Sequence, residues 1–105
     1  MAHFARVENG RVSNVIVVAN EAINGGDFPG SESTGQAFIA SLGLDGDWLQ
    51  TSYSGSFRGN YAGIGFTYNE ELDAFIPPKP SEDATLDEAT FSWVVPKVEE
   101  NNEEE

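Results

Sequence analysis

The dipeptide Asn9-Gly10 constrains this chain more than any other feature, because it stands between two runs suited to a pleated sheet. Asn-Gly supplies the two positive-φ residues of a type I′ turn, whose twist matches that of paired antiparallel strands. Phe4-Ala5-Arg6-Val7 precedes it, and Arg11-Val12-Ser13-Asn14-Val15-Ile16-Val17-Val18 follows it, rich in the β-branched residues that strands favour. Residues 1–19 are therefore expected to form a β-hairpin. Its second strand opens with alternation and closes as a continuous apolar run from Val15 to Ala19. That run predicts a central strand whose far end is covered on both faces.

A second constraint is an internal repeat in the C-terminal half. Tyr68-Asn69-Glu70, Phe75-Ile76 and Pro78-Lys79 recur eighteen positions later as Leu86-Asp87-Glu88, Trp93-Val94 and Pro96-Lys97. Each copy reads as a hairpin: Asn or Asp with Glu makes the turn, the aromatic-aliphatic pair returns as a strand, and proline, lacking an N–H, ends it. Pro77-Pro78-Lys79-Pro80 between them is extended and stiff, since successive prolines fix φ. Residues 61–98 are thus expected to be tandem hairpins joined by a proline strut. Two copies of so short a period do not make a solenoid or propeller.

The middle of the chain is less regular. Residues 20–30 contain Asn24, Gly25, Gly26, Asp27, Pro29 and Gly30, a loop composition. A short helix is expected next, with Ser31 or Ser33 as N-cap, an apolar face of Ala37, Phe38, Ile39 and Leu42, and Gly43 as its stop; Thr34 and Gly35 weaken its first turn. Asp45-Gly46-Asp47 then turns into Trp48-Leu49-Gln50-Thr51-Ser52-Tyr53, which alternates as a half-buried strand does. Residues 54–60 read as loop. The fold class is mainly β: one domain over residues 1–98 built of short hairpins with one short helix, followed by an extended acidic tail at residues 99–105.

Composition narrows the function. With 18 acidic against 5 basic residues the net charge is -13, which repels nucleic acid and anionic membranes, so no direct nucleic-acid or membrane partner is expected. Cys is absent from the 105 residues, which removes disulfides, thiolate metal sites and thiol nucleophiles and fits a reducing cytoplasm. A small core without those staples leans on self-association or docking, so a homo-oligomer is among the expectations. No apolar run has the length of a signal peptide or a membrane span, and the chain reads as soluble and unprocessed. The tail Glu99-Glu100-Asn101-Asn102-Glu103-Glu104-Glu105 repels itself and is expected to be disordered in isolation.

A search for chemistry finds none, and no catalytic residue, cofactor or metal is expected. His3 is the only imidazole, with no cysteine or second histidine to share a metal and no nucleophile elbow nearby. Glu70, Glu71, Asp73, Asp87 and Glu88 fall at predicted turns, where acidic residues are common anyway. Asp45-Gly46-Asp47 lacks the alternating acids and closing Glu of a calcium loop. Gly63-Ile64-Gly65 precedes a strand rather than a helix, so it is no phosphate loop; such glycines let the backbone pass an aromatic such as Tyr61 or Phe66, or form a bulge. The aromatics remain. They crowd the second half of a chain too small to hide them all, and those left exposed, with the proline segment, are natural interface anchors. The expected protein-interface residues are Phe4, Trp48, Tyr53, Phe57, Tyr61, Phe75, Pro77, Pro78 and Trp93.

The segment Asn60-Tyr61-Ala62-Gly63-Ile64-Gly65-Phe66-Thr67-Tyr68, continuing through Leu72-Asp73-Ala74-Phe75-Ile76-Pro77-Pro78-Lys79-Pro80, resembles a motif of small virion structural proteins of tailed phages, especially marine and cyanobacterial ones. Met1-Ala2-His3-Phe4-Ala5 and Asp47-Trp48-Leu49-Gln50-Thr51-Ser52-Tyr53 are similar too. In that family the proline segment runs into a Ser-Trp strand and a second hairpin ending Trp-x-x-Pro. Here Ser81-Glu82-Asp83-Ala84-Thr85-Leu86 replaces that tryptophan, while Phe91-Ser92-Trp93-Val94-Val95-Pro96 keeps the second half. The resemblance implies an assembly role in the virion, after synthesis in the host cytoplasm. The first expectation is a capsid decoration or cement protein that binds and stabilises the major capsid protein shell. A neck, tail or fibre-associated component is the alternative. From other classes come an acidic intracellular inhibitor that mimics nucleic acid, a reading weakened by the share of charge in the tail, and a carbohydrate-binding module using Trp48 or Trp93.

Overall fold

The computed structural model describes residues 1–96; the acidic tail expected at residues 99–105 lies outside the described residues. Strands β1 (Ala2–Glu8) and β2 (Arg11–Val18) pair antiparallel around Asn9 (φ 54°) and Gly10 (φ 78°), both in the left-handed region that the turn requires. β3 (Asp47–Thr51) lies along the other side of β1. β4 (Thr67–Asn69) meets β2 at Arg11, and β5 (Ala74–Ile76) completes an antiparallel sheet of order β3-β1-β2-β4-β5. β6 (Thr85–Asp87) and β7 (Ser92–Val94) form a separate two-stranded sheet. A single 3-10 turn (Asn20–Ile23) and one helix, α1 (Gly30–Ser41), connect β2 to β3. The chain is mainly β, as its patterning implies.

Alternation along β1 divides the core in two. Ala2 and Phe4 point to one face of the sheet, where Val18, Trp48, Ile23 and Ile39 of α1 close over them. Ala5 points to the other face and packs with Val12, Ala62 and Phe75, flanked by Phe66 and Tyr68. β1 is thus covered on both faces and paired on both edges.

β2 holds the middle place in the strand order, but its far end is not covered as its apolar run predicts. β4 has three residues and reaches only the start of β2, so the remainder has no second neighbour among the described residues. Val17 is 54% exposed there, and the outward N–H of Val15 is met by the Oδ1 of Asn14 at 2.9 Å.

The helix begins with Gly30 behind Pro29, earlier than either serine cap, and no side chain caps it. Of the expected apolar face only Ile39 is fully buried; Phe38 is half-buried, and Ala37 and Leu42 are exposed. Gly35, a weak point on propensity alone, is where α1 meets the sheet. A Cβ there would lie 2.1 Å from Cζ of Phe4, so the missing side chain is the slot into which that ring fits. Gly43 (φ 82°) ends the helical segment as expected.

The eighteen-residue repeat folds as two matching hairpins. Thr67, Tyr68 and Asn69 pair with Ile76, Phe75 and Ala74; Thr85, Leu86 and Asp87 pair with Val94, Trp93 and Ser92. Asn69 Oδ1 accepts from the N–H of Leu72 (3.0 Å), and Asp87 Oδ1 accepts from that of Ala89 (2.9 Å). Asp73 (φ 49°) and Phe91 (φ 56°), at corresponding positions, close the two turns in left-handed conformation.

Candidate functional site

The structure separates the expected interface residues into core and surface. Phe4 and Phe75 are fully buried and Trp48 nearly so, its Nε1–H donating to the carbonyl of Asp45 at 3.1 Å. These three are core residues, a correction to their expected interface role, because each lies on a covered face of the sheet. Trp48 is equally closed to stacking on a sugar. Tyr53, Phe57 and Tyr61 gather at one end of the molecule, and Pro77, Pro78 and Trp93 at the proline strut.

The first group is an aromatic end built on β1 and β3. His3 pairs across strands with Thr51, and two residues further on Tyr53 emerges on the same face. Its ring stacks on the His3 imidazole, with centroids 5.4 Å apart and planes at 22°. Tyr61 stands edge-on to both, 5.4 Å from His3 and 5.2 Å from Tyr53. Tyr61 is held because Thr51 Oγ1 accepts the N–H of the next residue, Ala62, at 2.9 Å. Partial burial and the nearby chain-terminal ammonium push the His3 pKa below its ordinary value. Tyr53 is nonetheless 73% exposed, leaving one ring face open.

Beside it, Phe57 stacks on Phe28 with centroids 3.8 Å apart and planes 2° from parallel. His3, Tyr53, Phe28 and Phe57 line a cleft of about 580 Å3, completed by the loop at Gly25, Gly26 and Asp27 and by Ser52 and Ser54. Ser52 anchors its own loop by accepting the N–H of Ser56 at 2.9 Å. His3 and Phe28 were not among the expected site residues. For His3 a signal existed, since pairing the first strand with the Trp48 segment places it beside Thr51, on the face to which Tyr53 belongs.

Behind the aromatic end lies a charged staple that the sequence gives little reason to expect. Arg58 sits in the segment between β3 and β4: Phe75 of β5 donates its N–H to the Arg58 carbonyl at 3.0 Å, and the guanidinium donates to the carbonyl of Gln50 on β3 at 3.0 Å. It pairs with Glu32 of α1 and, at 2.8 Å, with Asp73 in the β4–β5 turn, and it lies 5.0 Å from the Phe28 ring centroid. Glu32 in turn accepts the N–H of Gln50 at 2.8 Å. One side chain thus ties the two outer edges of the sheet to each other and to the helix. Burial opposes its charge, but Glu32 and Asp73 outweigh that and hold its pKa above the ordinary value. Burial also pushes up the Asp73 carboxyl, yet hydrogen bonds from Tyr68 and Arg58 prevail and keep it below the usual carboxylate range. Tyr68, desolvated and donating to Asp73, is pushed up to about 12.

At the opposite end, the strut and the two hairpins enclose a groove of about 710 Å3 floored by Ile76, Pro77, Pro78, Leu86 and Trp93. The Trp93 indole N–H donates to the carbonyl of Pro77 at 2.7 Å, and Lys79 lies 5.8 Å from the ring centroid. Asn60 fastens the second hairpin to the first, donating to the carbonyls of Phe75 (3.0 Å) and Phe91 (2.7 Å).

Among the described residues no group of three or more His, Cys, Asp or Glu side chains is placed to hold a metal ion, and no helix is long and apolar enough to cross a membrane. Comparison with protein-family models, with curated proteins and with solved structures finds no match.

Proposed function

We propose that this chain is a structural protein of a tailed-phage virion, acting as a decoration or cement protein that docks on the major capsid protein through its aromatic end. The observation that carries the docking part is the His3, Tyr53 and Tyr61 stack, in which a β1 residue meets two rings from the segment after β3, while Tyr53 stays 73% exposed. Rings already fixed lose little conformational freedom on binding, and an amphipathic ring at an interface contributes contact area together with a hydrogen-bonding tip. The virion part rests on the sequence resemblance. Small contacts suit such a role, because a shell multiplies each one by its copy number.

The test is quantitative mass spectrometry of purified virions from a phage that encodes the chain, counted against the major capsid protein. A ratio of one chain per capsid subunit, or per few, supports the decoration role. A handful of copies moves the protein to the neck, tail or fibre, and absence from the particle overturns the virion reading and favours an intracellular acidic inhibitor. Tyr53→Ala then tests the surface: loss of capsid binding with an unchanged thermal midpoint supports docking through the aromatic end.

A further inference from the structure

The groove at the proline strut carries an electrostatic anomaly. Four cationic side chains, Arg6, Arg11, Arg58 and Lys79, fall within the described residues of a chain with 18 acids. Arg6 faces Glu8 at 3.2 Å, and Arg58 is bound by Glu32 and Asp73. Arg11 and Lys79 have no acidic partner among the described residues, and both are exposed on the walls of this one groove, above an apolar floor of Ile76, Pro77, Pro78, Leu86 and Trp93. A groove with an apolar base and two unanswered positive charges fits an extended acidic segment, whose stem covers the floor while its carboxylates meet the rims.

We infer that the occupant is the chain's own acidic segment, residues 99–105, folding back over the groove between Arg11 and Lys79. This surface is separate from the aromatic end, and the inference stands whether or not the chain is a virion component. Two observations select this segment. It leaves the described fold just past Pro96, three positions beyond the Trp93 that forms the groove floor, and the nine residues from Lys97 to Glu105 can extend about 30 Å. It also carries Glu99, Glu100, Glu103, Glu104 and Glu105, the charge that the rims lack. A second copy could offer the same segment, but two chains of net charge -13 repel each other, whereas a short tether raises the local concentration to the millimolar range.

The chain has no cysteine, so Asn102→Cys gives a single attachment point for a nitroxide in the otherwise complete protein. Paramagnetic broadening is read at the amides of Arg11, Gly65 and Thr67, which line the groove from β2 and from the segment that enters β4. The expected result is strong broadening at these amides that largely disappears in Arg11→Gln/Lys79→Gln and in about 0.5 M salt, where charges more than a few ångströms apart are screened. Broadening that is weak, or unchanged by the double substitution and by salt, describes a segment that does not use the groove and overturns the inference. Mixing spin-labelled chains with isotope-labelled unlabelled ones separates the remaining case. If the broadening appears only between chains, the occupant is a second copy and the intramolecular assignment is wrong.

Discussion

The two hairpins of the repeat share register, turn length and the left-handed residue that closes the turn, yet they end in opposite environments. β5 is buried at all three positions, with Phe75 at its centre in the core; β7 exposes Ser92 and Val94 and only half-buries Trp93, its counterpart of Phe75. Local sequence sets hairpin formation, but burial depends on what lies on either side. The first hairpin has β2 on one flank and the Gly59 segment on the other. The second is held by Asn60, by the Trp93 bond to Pro77, and by the Phe91 ring over Gly59, where a Cβ would meet Cδ2 of Phe91 at 2.9 Å.

Exchanging alanine into corresponding positions should expose this difference most strongly. Phe75→Ala empties a fully buried site and is expected to cost about 3–5 kcal/mol, a large part of the 5–15 kcal/mol that holds a typical domain together. Trp93→Ala removes a half-buried ring and one hydrogen bond and should cost about 1–2 kcal/mol. Denaturant midpoints compare them, and equal losses would mean that the second hairpin is as integral to the core as the first.

Arg58 is expected to rank next. It serves only the first hairpin, through Asp73 and the Phe75 amide, and ties it to β3 and α1. Arg58→Met leaves Glu32 partly desolvated without its cation and should cost about 2–4 kcal/mol. Hydrogen exchange should then quicken in β5 and in the edge strand β3 together. Faster exchange confined to one of them would show that the staple does not couple the two edges.

Asn60→Ala addresses the junction between the hairpins. It leaves the carbonyls of Phe75 and Phe91 each short of a donor and should cost about 1–2 kcal/mol. Amide protection should fall in β6 and β7 before it falls in β4 and β5. Loss in the reverse order would make the second hairpin the anchor of the first.

Much of this fold is legible in the sequence because its signals are local. Asn9-Gly10 names its turn type, and the repeat carries its turn residues at fixed offsets, so both hairpins follow from short stretches of chain. Gly63 likewise passes close to Phe66, as its neighbourhood implies, a Cβ there lying 2.9 Å from the ring. What is not legible depends on distant partners. Gly35 reads as a helix weakness until Phe4 is known to fill its place. The Val15 to Ala19 run reads as doubly covered until β4 is known to stop short. Phe4, Trp48 and Phe75 look no different from Tyr53 as interface candidates, because whether a ring is core or surface is decided by which strand runs beside it. Arg58, in a glycine- and serine-rich loop, has partners 26 and 15 positions away that no spacing rule links to it.

The smallest expected effect follows from the two residues that close the turns. Asp73 carries a proton-accepting group at a position where the second hairpin has Phe91, which has no proton to gain. Because Tyr68 and Arg58 hold the folded Asp73 below its ordinary carboxylate range, the folded chain binds fewer protons there than the unfolded one as the pH drops. The resulting stability is fully present above the unfolded value of about 4 and is lost as the pH falls through the lower folded value. Asp73 is more than half exposed, so solvent screening keeps this contribution below about 1 kcal/mol. The expected signature is therefore local: below about pH 4, amide shifts at Tyr68 and Asp73 should move with a single titration that is absent in Asp73→Asn, while the Phe91 amide shows no matching step. A titration at Tyr68 that survives Asp73→Asn would assign the acid sensitivity of the first hairpin to another carboxylate and remove Asp73 from the staple.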